Sequence, residues 1–518
     1  MHFLPPTMPA AAQAYVDSMP PGRVELFSLS SLDHTGVACW NAIFLNQDGT
    51  RWHGVVPHGV GYGVDDDSAI IGTTGELAEA VHSATQIHRC ERRTGSYASL
   101  RAQLGDRAVQ DPLTLCIPAG SSLDADTVLE WVPARRWPSG ETVWLPIDIA
   151  ACSVGDLTPG YLPFTTPITN GLGAGPTLDF AIGHGVCELL QRDGNGTGFR
   201  AMDRGIALDL GDGPADPRTR GLLARLDAAG IDVIPKFASD EFGTANVYCV
   251  GAERDGVAAP YPIMVTAAGE AASLDREHAL RKAVFEFAAA RMRKVFSHAP
   301  LDAIAGVAPP GYLNRFRAYH TLGGEEGRAL SAMKAWLTLD QPTLKGLLAG
   351  TVLSRRSTHR FDALPTWDGP LAGTELLQEL ARRFTAAGME ILYFDWSPPG
   401  AGIHVVKAVV PGLEVETMSY HRIGERGVRK LLDRGSPLVG LGAPPPGAAP
   451  VIVPRGSALG LAWLDVAEVD RIVGALYPLY REPEVHYAPI SAEMEHGRSA
   501  PSAAYGGELG GDITRLQP

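Results

Sequence analysis

Three stretches of this chain share one helical frame. Small and apolar residues recur at helix spacing behind Ala78, Ala181 and Ala279. Seven residues on, two turns along the same face, stand Thr85, Glu188 and Glu286, and a basic residue follows each: Arg89, Arg192 and Arg291. The starts lie roughly a hundred residues apart, which marks an internal repeat. A second repeat has strand character. Asp33-His-Thr-Gly36 reads as a turn leading into a strand from Val37 to Leu45. The pattern returns at Asp240–Gly243 with Thr244–Val250, and at Asp395–Gly400 with Ile403–Val410. Strands alternating with amphipathic helices predict an α/β fold of mixed sheets and internally repeated strand–helix units.

Punctuation divides the chain further. Thr73-Thr-Gly-Glu76 reads as a capping box opening the first helix, with Asp65, Asp66 and Asp67 in a solvated loop before it. Thr177 caps the second helix, with Asp179 in its first turn, and Gly194 ends it; Ser273 or Asp275 caps the third. Residues 1–30, rich in Pro and Ala, read as loosely packed, and 31–435 as the main domain. Between Gly442 and Gly456 lie Pro444, Pro445, Pro446, Pro450 and Pro454, so 436–490 reads as a linker or arm with a small ordered unit from Ala458 to Tyr480. The stretch 491–518 reads as a disordered tail.

Composition narrows the function. With 518 residues, 45% hydrophobic and 20% charged, the chain can bury a large core. A net charge of -14 without a Lys/Arg run argues against nucleic acid, and no apolar stretch is long enough for a membrane span. Six cysteines without a CxxC pair, and a start without the pattern of a signal peptide, point to reduced thiols and a cytoplasmic location. No GxxxxGK[ST] loop and no GxSxG elbow is present. Asp193–Gly198 mimics the opening of a calcium loop, but its twelfth position is Arg204, so it reads as a turn.

The second helix carries the strongest candidate chemistry. Asn170-Gly-Leu-Gly-Ala-Gly175 reads as a flexible loop entering a helix, where backbone amides can approach phosphate. His184, Glu188 and Gln191 share a face with Arg192, and a carboxylate there suits magnesium while the arginine suits phosphate. The third helix offers Lys282 and Glu286, and the first offers His88 and Arg89. The plain alternative for the second helix is packing on a sheet with Glu188 and Arg192 as an ion pair four residues apart, for the third a surface pair, and for the first a structural or exposed histidine; spacing alone favours these alternatives.

The run Thr169-Asn-Gly-Leu-Gly-Ala-Gly-Pro-Thr-Leu-Asp-Phe-Ala-Ile-Gly-His-Gly-Val-Cys-Glu-Leu-Leu-Gln-Arg-Asp193 resembles the signature of the YcaO family. The segment Ala279–Glu286 through Arg291 is similar to its third-helix motif. More loosely, Pro411–Glu414 and Arg422–Arg426 are similar to its C-terminal motif. The resemblance covers about residues 30–430. It implies a YcaO-like fold that binds ATP and Mg2+ without a Walker loop and activates a peptide backbone amide, by cyclodehydration, thioamidation or amidine formation, in ribosomal peptide (RiPP) modification. It implies Asn170, Gly173, Gly175, Arg192, Lys282 and Arg89 around the nucleotide and Glu188 and Glu286 on the metal. It also implies a precursor peptide as substrate and a ThiF-like or TfuA-like partner protein.

Departures leave two readings open. Thr85 and His88 stand where the family has acids in its first helix, Pro176 replaces an Asn, and Phe180 and Gln191 replace Glu. The chain also lacks the Pro-x-Pro-x-Pro ending of some azoline-forming members. One reading is an ATP-dependent amide-activating enzyme. The other is a family member that has lost ATP and Mg2+ binding and serves as a scaffold or substrate-recruiting subunit.

Overall fold

The computed structural model describes residues 3–53, 55–317, 324–415 and 421–495. Along the chain, α1 (Ala10–Asp17) precedes the hairpin strands β1 (Arg23–Ser28), β2 (Ala38–Leu45) and β3 (His58–Gly63), then α2 (Asp66–Gln86). Next come β4 (Arg93–Ser96), α3 (Tyr97–Leu104), β5 (Val128–Arg136), β6 (Thr142–Pro146), α4 (Ile147–Ala150), β7 (Leu172–Gly175) and α5 (Leu178–Asn195). A third stretch holds β8 (Ile206–Asp209), α6 (Pro217–Ala228), β9 (Ile231–Ser239), β10 (Ala245–Glu253), β11 (Ala268–Ser273) and α7 (Arg276–His298). Helices α8 (Leu301–Ala305), α9 (Tyr312–Arg317), α10 (Gly324–Leu337) and α11 (Gln341–Ala349) follow, then β12 (Ser357–Arg360), α12 (Thr374–Ala386), β13 (Leu392–Asp395), β14 (His404–Val409) and α13 (Glu425–Asp433). The C-terminal part carries β15 (Val439–Leu441), β16 (Ala449–Val451), β17 (Ala462–Leu464), α14 (Val466–Val473) and α15 (Tyr487–Glu495).

The strands form sheets of order β1-β2-β3, β11-β10-β9-β8-β12, β4-β5-β13-β14-β7 with β6 also on β5, and β15-β17-β16. In the first three sheets one edge strand leads directly into a long helix: β3 into α2, β7 into α5, β11 into α7. The strand inside each of these edges (β2, β14 and β10) is one of the three copies of the strand repeat. Each helix lies on its own edge strand and also on that of another unit, α2 on β7, α5 on β11 and α7 on β3. The three strand–helix units therefore close a cycle, and one face of each helix points toward its centre.

Glycine makes the close packing possible. A Cβ on Gly59 of β3 would lie 2.3 Å from the Thr73 carbonyl oxygen on α2, and one on Gly269 of β11 would lie 2.2 Å from that of Ala283 on α7. The largest core joins β2, β10 and α7 through Cys39, Ile43, Val247, Phe287 and Ala288. A second lies under β5 and β6 around Trp131 and Leu145, and a third joins α5 and α12 through Ile182, Leu190 and Leu377.

Several expectations change. The helix α2 starts at Asp66, capped by Asp65 through a capping box with Ser68, so Asp65–Asp67 is a helix start and Thr73–Glu76 lies inside the helix. Thr177 and Asp275 cap α5 and α7 as expected, while α5 runs through Gly194 to Asn195. Residues 10–28 are a helix and a strand with Ala12, Val16, Val24 and Leu26 buried, rather than a loose segment. The proline-rich region holds the β15–β17 sheet, whose Val439, Val451 and Leu464 pack with Ile423, Val428 and Ala329 in a shared core, so it is docked rather than a free arm. Of the proposed tail, 491–495 belong to α15 and 496–518 lie outside the described residues.

Candidate nucleotide and metal site

The three N-caps set the register of the repeat. Eleven residues after Asp65, Thr177 and Asp275 come Glu76, Glu188 and Glu286. Each glutamate reaches back to a backbone N–H at the edge strand of its own unit. Glu76 Oε2 accepts from Val60 at 2.9 Å, Glu188 Oε2 from Gly171 at 2.8 Å and Glu286 Oε2 from Glu270 at 2.8 Å. An edge strand leaves such donors outside the ladder, and a helix packed tightly on it brings a carboxylate within reach. One oxygen of each acid is thereby fixed. Of the second oxygens, that of Glu188 makes a 3.4 Å ion pair with Arg192.

The first copy has therefore kept its acid. The repeat begins at Ala69 rather than Ala78, and Thr85 is no counterpart of Glu188; its hydroxyl donates to Val81 O (2.6 Å) and accepts from Trp52 Nε1 (3.2 Å). One turn past Glu76 stands Glu79, so the first helix carries Glu-x-x-Glu after all.

These groups act on one another's charge. Burial and the charges of Glu76 and Glu188 push Glu79 well above the ordinary carboxylate range, against an Ala174 N–H bond and Lys282, which act the other way. Burial also raises Glu76, opposed by the Val60 bond and Arg293 and assisted by Glu188, and it raises Glu286, opposed by Arg293. Glu76 is nevertheless reached by solvent, and Glu188 retains 26% side-chain exposure, so the acids lie at a solvent-reached place between the three helices, called the cleft below. Glu270 on β11 is the exception. Burial raises it, but Arg192 and Arg200 bring it below its ordinary value, and Asn195 and Gln191 donate to the same carboxylate. At one end of the cleft, burial, Lys282 and His278 hold His184 down to about 3, so it is neutral near pH 7.

The residues expected from sequence fare unequally. Glu188, Glu286, Arg192 and Lys282 come together with Glu76, Glu79, Glu270 and Arg293, four residues the sequence reading missed. Gly173 and Gly175 lie in strand β7, not in a flexible loop, and a Cβ on Gly173 would stand 2.2 Å from Ala181 O. Their glycines serve strand–helix packing. Asn170 sits on the turn before β7 with its buried Nδ2 unpartnered. Arg89 is not brought to the cleft: it follows the far end of α2, where it adds to the charge felt by His53, more than 15 Å along the helix from Glu76 at ~1.5 Å per residue. Arg291 is fully buried and paired with Asp33 (2.7 Å) and Glu253 (2.6 Å), a core ion triad. A usable signal did exist: Gly59-x-Gly61-x-Gly63 precedes α2 as Gly171-x-Gly173-x-Gly175 precedes α5.

A family model described as "YcaO cyclodehydratase, ATP-ad Mg2+-binding" matches residues 60–414. The chain belongs to the YcaO family. An uncharacterized protein of Methanothermobacter thermautotrophicus is 25% identical over 406 residues, 78% of this chain and 93% of that protein. The YcaO protein of Methanopyrus kandleri, solved with AMPPCP and Mg2+, superposes with a TM-score of 0.51 at 18% identity, covering 78% of this chain and 88% of that one. A heterocyclase solved with substrate and cofactor gives a TM-score of 0.57 at 21% identity over 80% of this chain; the chain spans 52% of its length. No helix among the described residues is long and apolar enough to cross a membrane.

The cleft suits the magnesium nucleotide of the family. Among the described residues no three His, Cys, Asp or Glu side chains converge closely enough to hold a metal ion unaided. Mg2+ commonly takes only one or two carboxylates and completes its shell with phosphate oxygens and water. Glu76, Glu79, Glu188 and Glu286 offer oxygen ligands, and burial raises the carboxyl groups of Glu76, Glu79 and Glu286 above their ordinary range. Arg192, Lys282 and Arg293 stand among them as cations.

Proposed function

We propose that this YcaO protein activates a backbone amide of a precursor peptide with ATP and Mg2+, cyclodehydrating it during ribosomal peptide modification. The observation that carries the proposal is the convergence of Glu76, Glu188 and Glu286, each held by a backbone N–H on or next to the edge strand of its own unit. ATP, when bound, supplies a phosphoryl group that turns the amide oxygen into a leaving group. Glu188, Glu286 and Glu76 would hold the metal, with Glu79 beside them; Arg192, Lys282 and Arg293 would neutralise phosphate oxygens. A side-chain thiol or hydroxyl of the peptide bonds to the amide carbon and gives up its proton; the amide C–O bond breaks with the oxygen leaving as phosphate, and the nitrogen loses its proton as the C=N bond forms. Catalysis of this kind rests on positioning and charge neutralisation, which rigid helices on edge strands provide. A separate peptide-presenting protein, of the ThiF-like or TfuA-like kind, completes the system.

The scaffold reading loses its main support, since the acids missing at Thr85 and His88 are present at Glu76 and Glu79. Gln191 remains a true loss, and it donates to Glu270 Oε2 at 3.3 Å. Two measurements test the proposal. Calorimetry with Mg2+ and a non-hydrolysable ATP analogue should give saturable binding; no heat at millimolar nucleotide overturns it. A precursor peptide labelled with 18O at the reacting amide should transfer the label to inorganic phosphate.

A further inference from the structure

The three glutamate locks are not built alike. Val60 lies inside β3 and Glu270 inside β11, so their strands' hydrogen bonds to β2 and β10 fix them. Gly171 lies one residue before β7, with φ +87°, in the turn closed by the Leu172 N–H donating to Thr169 O. Two contacts from β14 hold that turn. Ala408 N–H donates to Gly171 O at 2.7 Å. Its neighbour Lys407, 3% exposed, donates through Nζ to Ile168 O (2.6 Å), Ala151 O (2.7 Å) and Ala150 O (3.3 Å). All three ammonium protons have carbonyl partners, and two of these carbonyls close the C-terminal end of α4, where positive charge is favoured. The corresponding positions opposite Val60 and Glu270 hold Asn41 and Tyr248, neither of them a cation.

We infer that Lys407 is a positioning residue for the metal site: by pinning Ile168 to α4 it holds the Gly171 N–H where it orients Glu188. The inference rests on the magnesium–ATP reading. A buried ammonium with three carbonyl bonds is charge-assisted at each, which suits a clamp on a turn that must not move. It acts on a ligand through the ligand's hydrogen-bond donor, the outer-shell role that tunes metal affinity.

The test is the Mg2+ concentration giving half-maximal binding of a non-hydrolysable ATP analogue to full-length protein, with peptide affinity measured alongside. Lys407→Met should raise it about tenfold or more, in the range of outer-shell losses, while peptide affinity stays unchanged; Lys407→Arg should restore most of it. In a Glu188→Gln background Lys407→Met should add nothing, because its effect passes through Glu188. An unshifted Mg2+ dependence, or full additivity with Glu188→Gln, overturns the inference. A wild-type chain that binds no Mg2+–nucleotide overturns the functional reading itself, and this inference falls with it. If Lys407→Met does not fold, amide exchange in the wild-type chain decides: Gly171 N–H should be as protected as Val60 and Glu270, and a fast-exchanging Gly171 overturns the inference.

Discussion

Helices α2 and α7 do the same thing with different companions. Each places a glutamate eleven residues after an aspartate N-cap, and each glutamate accepts an edge-strand N–H. Around that shared lock, α2 brings a second carboxylate, Glu79, whereas α7 brings Lys282 one turn before its acid and Arg293 two turns after it. One copy is acidic and the other mixed. A cleft lined by three acidic copies would repel phosphate, and one lined by three mixed copies would leave a metal short of anionic oxygen. Divergence of the repeat divides anionic and cationic side chains among the copies while the backbone locks stay the same, a division that the proposed binding of metal and phosphate requires.

The largest effect expected from a single change lies outside this division of labour. Arg291 looks like the basic partner of the third copy but belongs to the core, between Asp33 and Glu253. Arg291→Leu should cost about 3–5 kcal/mol, since it strands two buried carboxylates. The folded fraction should bind nucleotide as before. Denaturant unfolding and calorimetry on the same preparation check both halves, and a stable variant with lost nucleotide binding would place Arg291 in the site.

Glu76→Gln tests the acidic copy directly. It should reduce peptide-dependent ATP turnover by about 100-fold, the scale of losing one fixed group aimed at transition-state charge. Turnover within about twofold of wild type would mean that the first copy supplies no functional acid.

How much of this was legible in the sequence depended on which neighbours each residue needed. Thr177 and Asp275 declare their helices locally, and so Glu188 and Glu286 fall into place. The first helix was masked by two local look-alikes. Three consecutive aspartates imitate a solvated loop, and Thr73-Thr-Gly-Glu76 imitates a capping box, so the frame slipped by nine residues from Ala69 to Ala78. Glu270 could not be read at all, because its donors Arg192, Asn195 and Arg200 come from the chain some 70 to 78 residues earlier. The β15–β17 strands are three residues each, too short to show alternation against the surrounding prolines.

pH sharpens the contrast between the copies. The carboxyl groups of Glu76, Glu79 and Glu286 all have raised pKa values in the folded chain, so the native state keeps protons that the unfolded chain releases. Their effect on the empty protein is neutral below the ordinary carboxylate pKa and increasingly destabilising as pH rises through the folded values. A bound cation removes that penalty. Mg2+–nucleotide should therefore raise the melting temperature more at pH 8 than at pH 6, with Glu79→Gln flattening the difference. The buried histidines act with opposite sign. Burial holds His82 to about 4 and, with smaller help from neighbouring histidines, His486 to about 3, so they withdraw stability as pH falls below about 6.5. An equal nucleotide effect at both pH values would mean that the acids do not face the ligand's charge.

The smallest effect separates the two possible frames of the first copy. If Ala78 began the repeat, Thr85 would occupy the acid's place and its replacement would alter nucleotide binding. In the frame set by Asp65, Thr85 only joins the Val81 carbonyl to the Trp52 indole. Thr85→Ala leaves the indole N–H without that acceptor, which costs about 1 kcal/mol. Nucleotide affinity should not change. A loss of affinity at Thr85, with none at Glu76, would move the frame back by nine residues and leave the first copy without its acid.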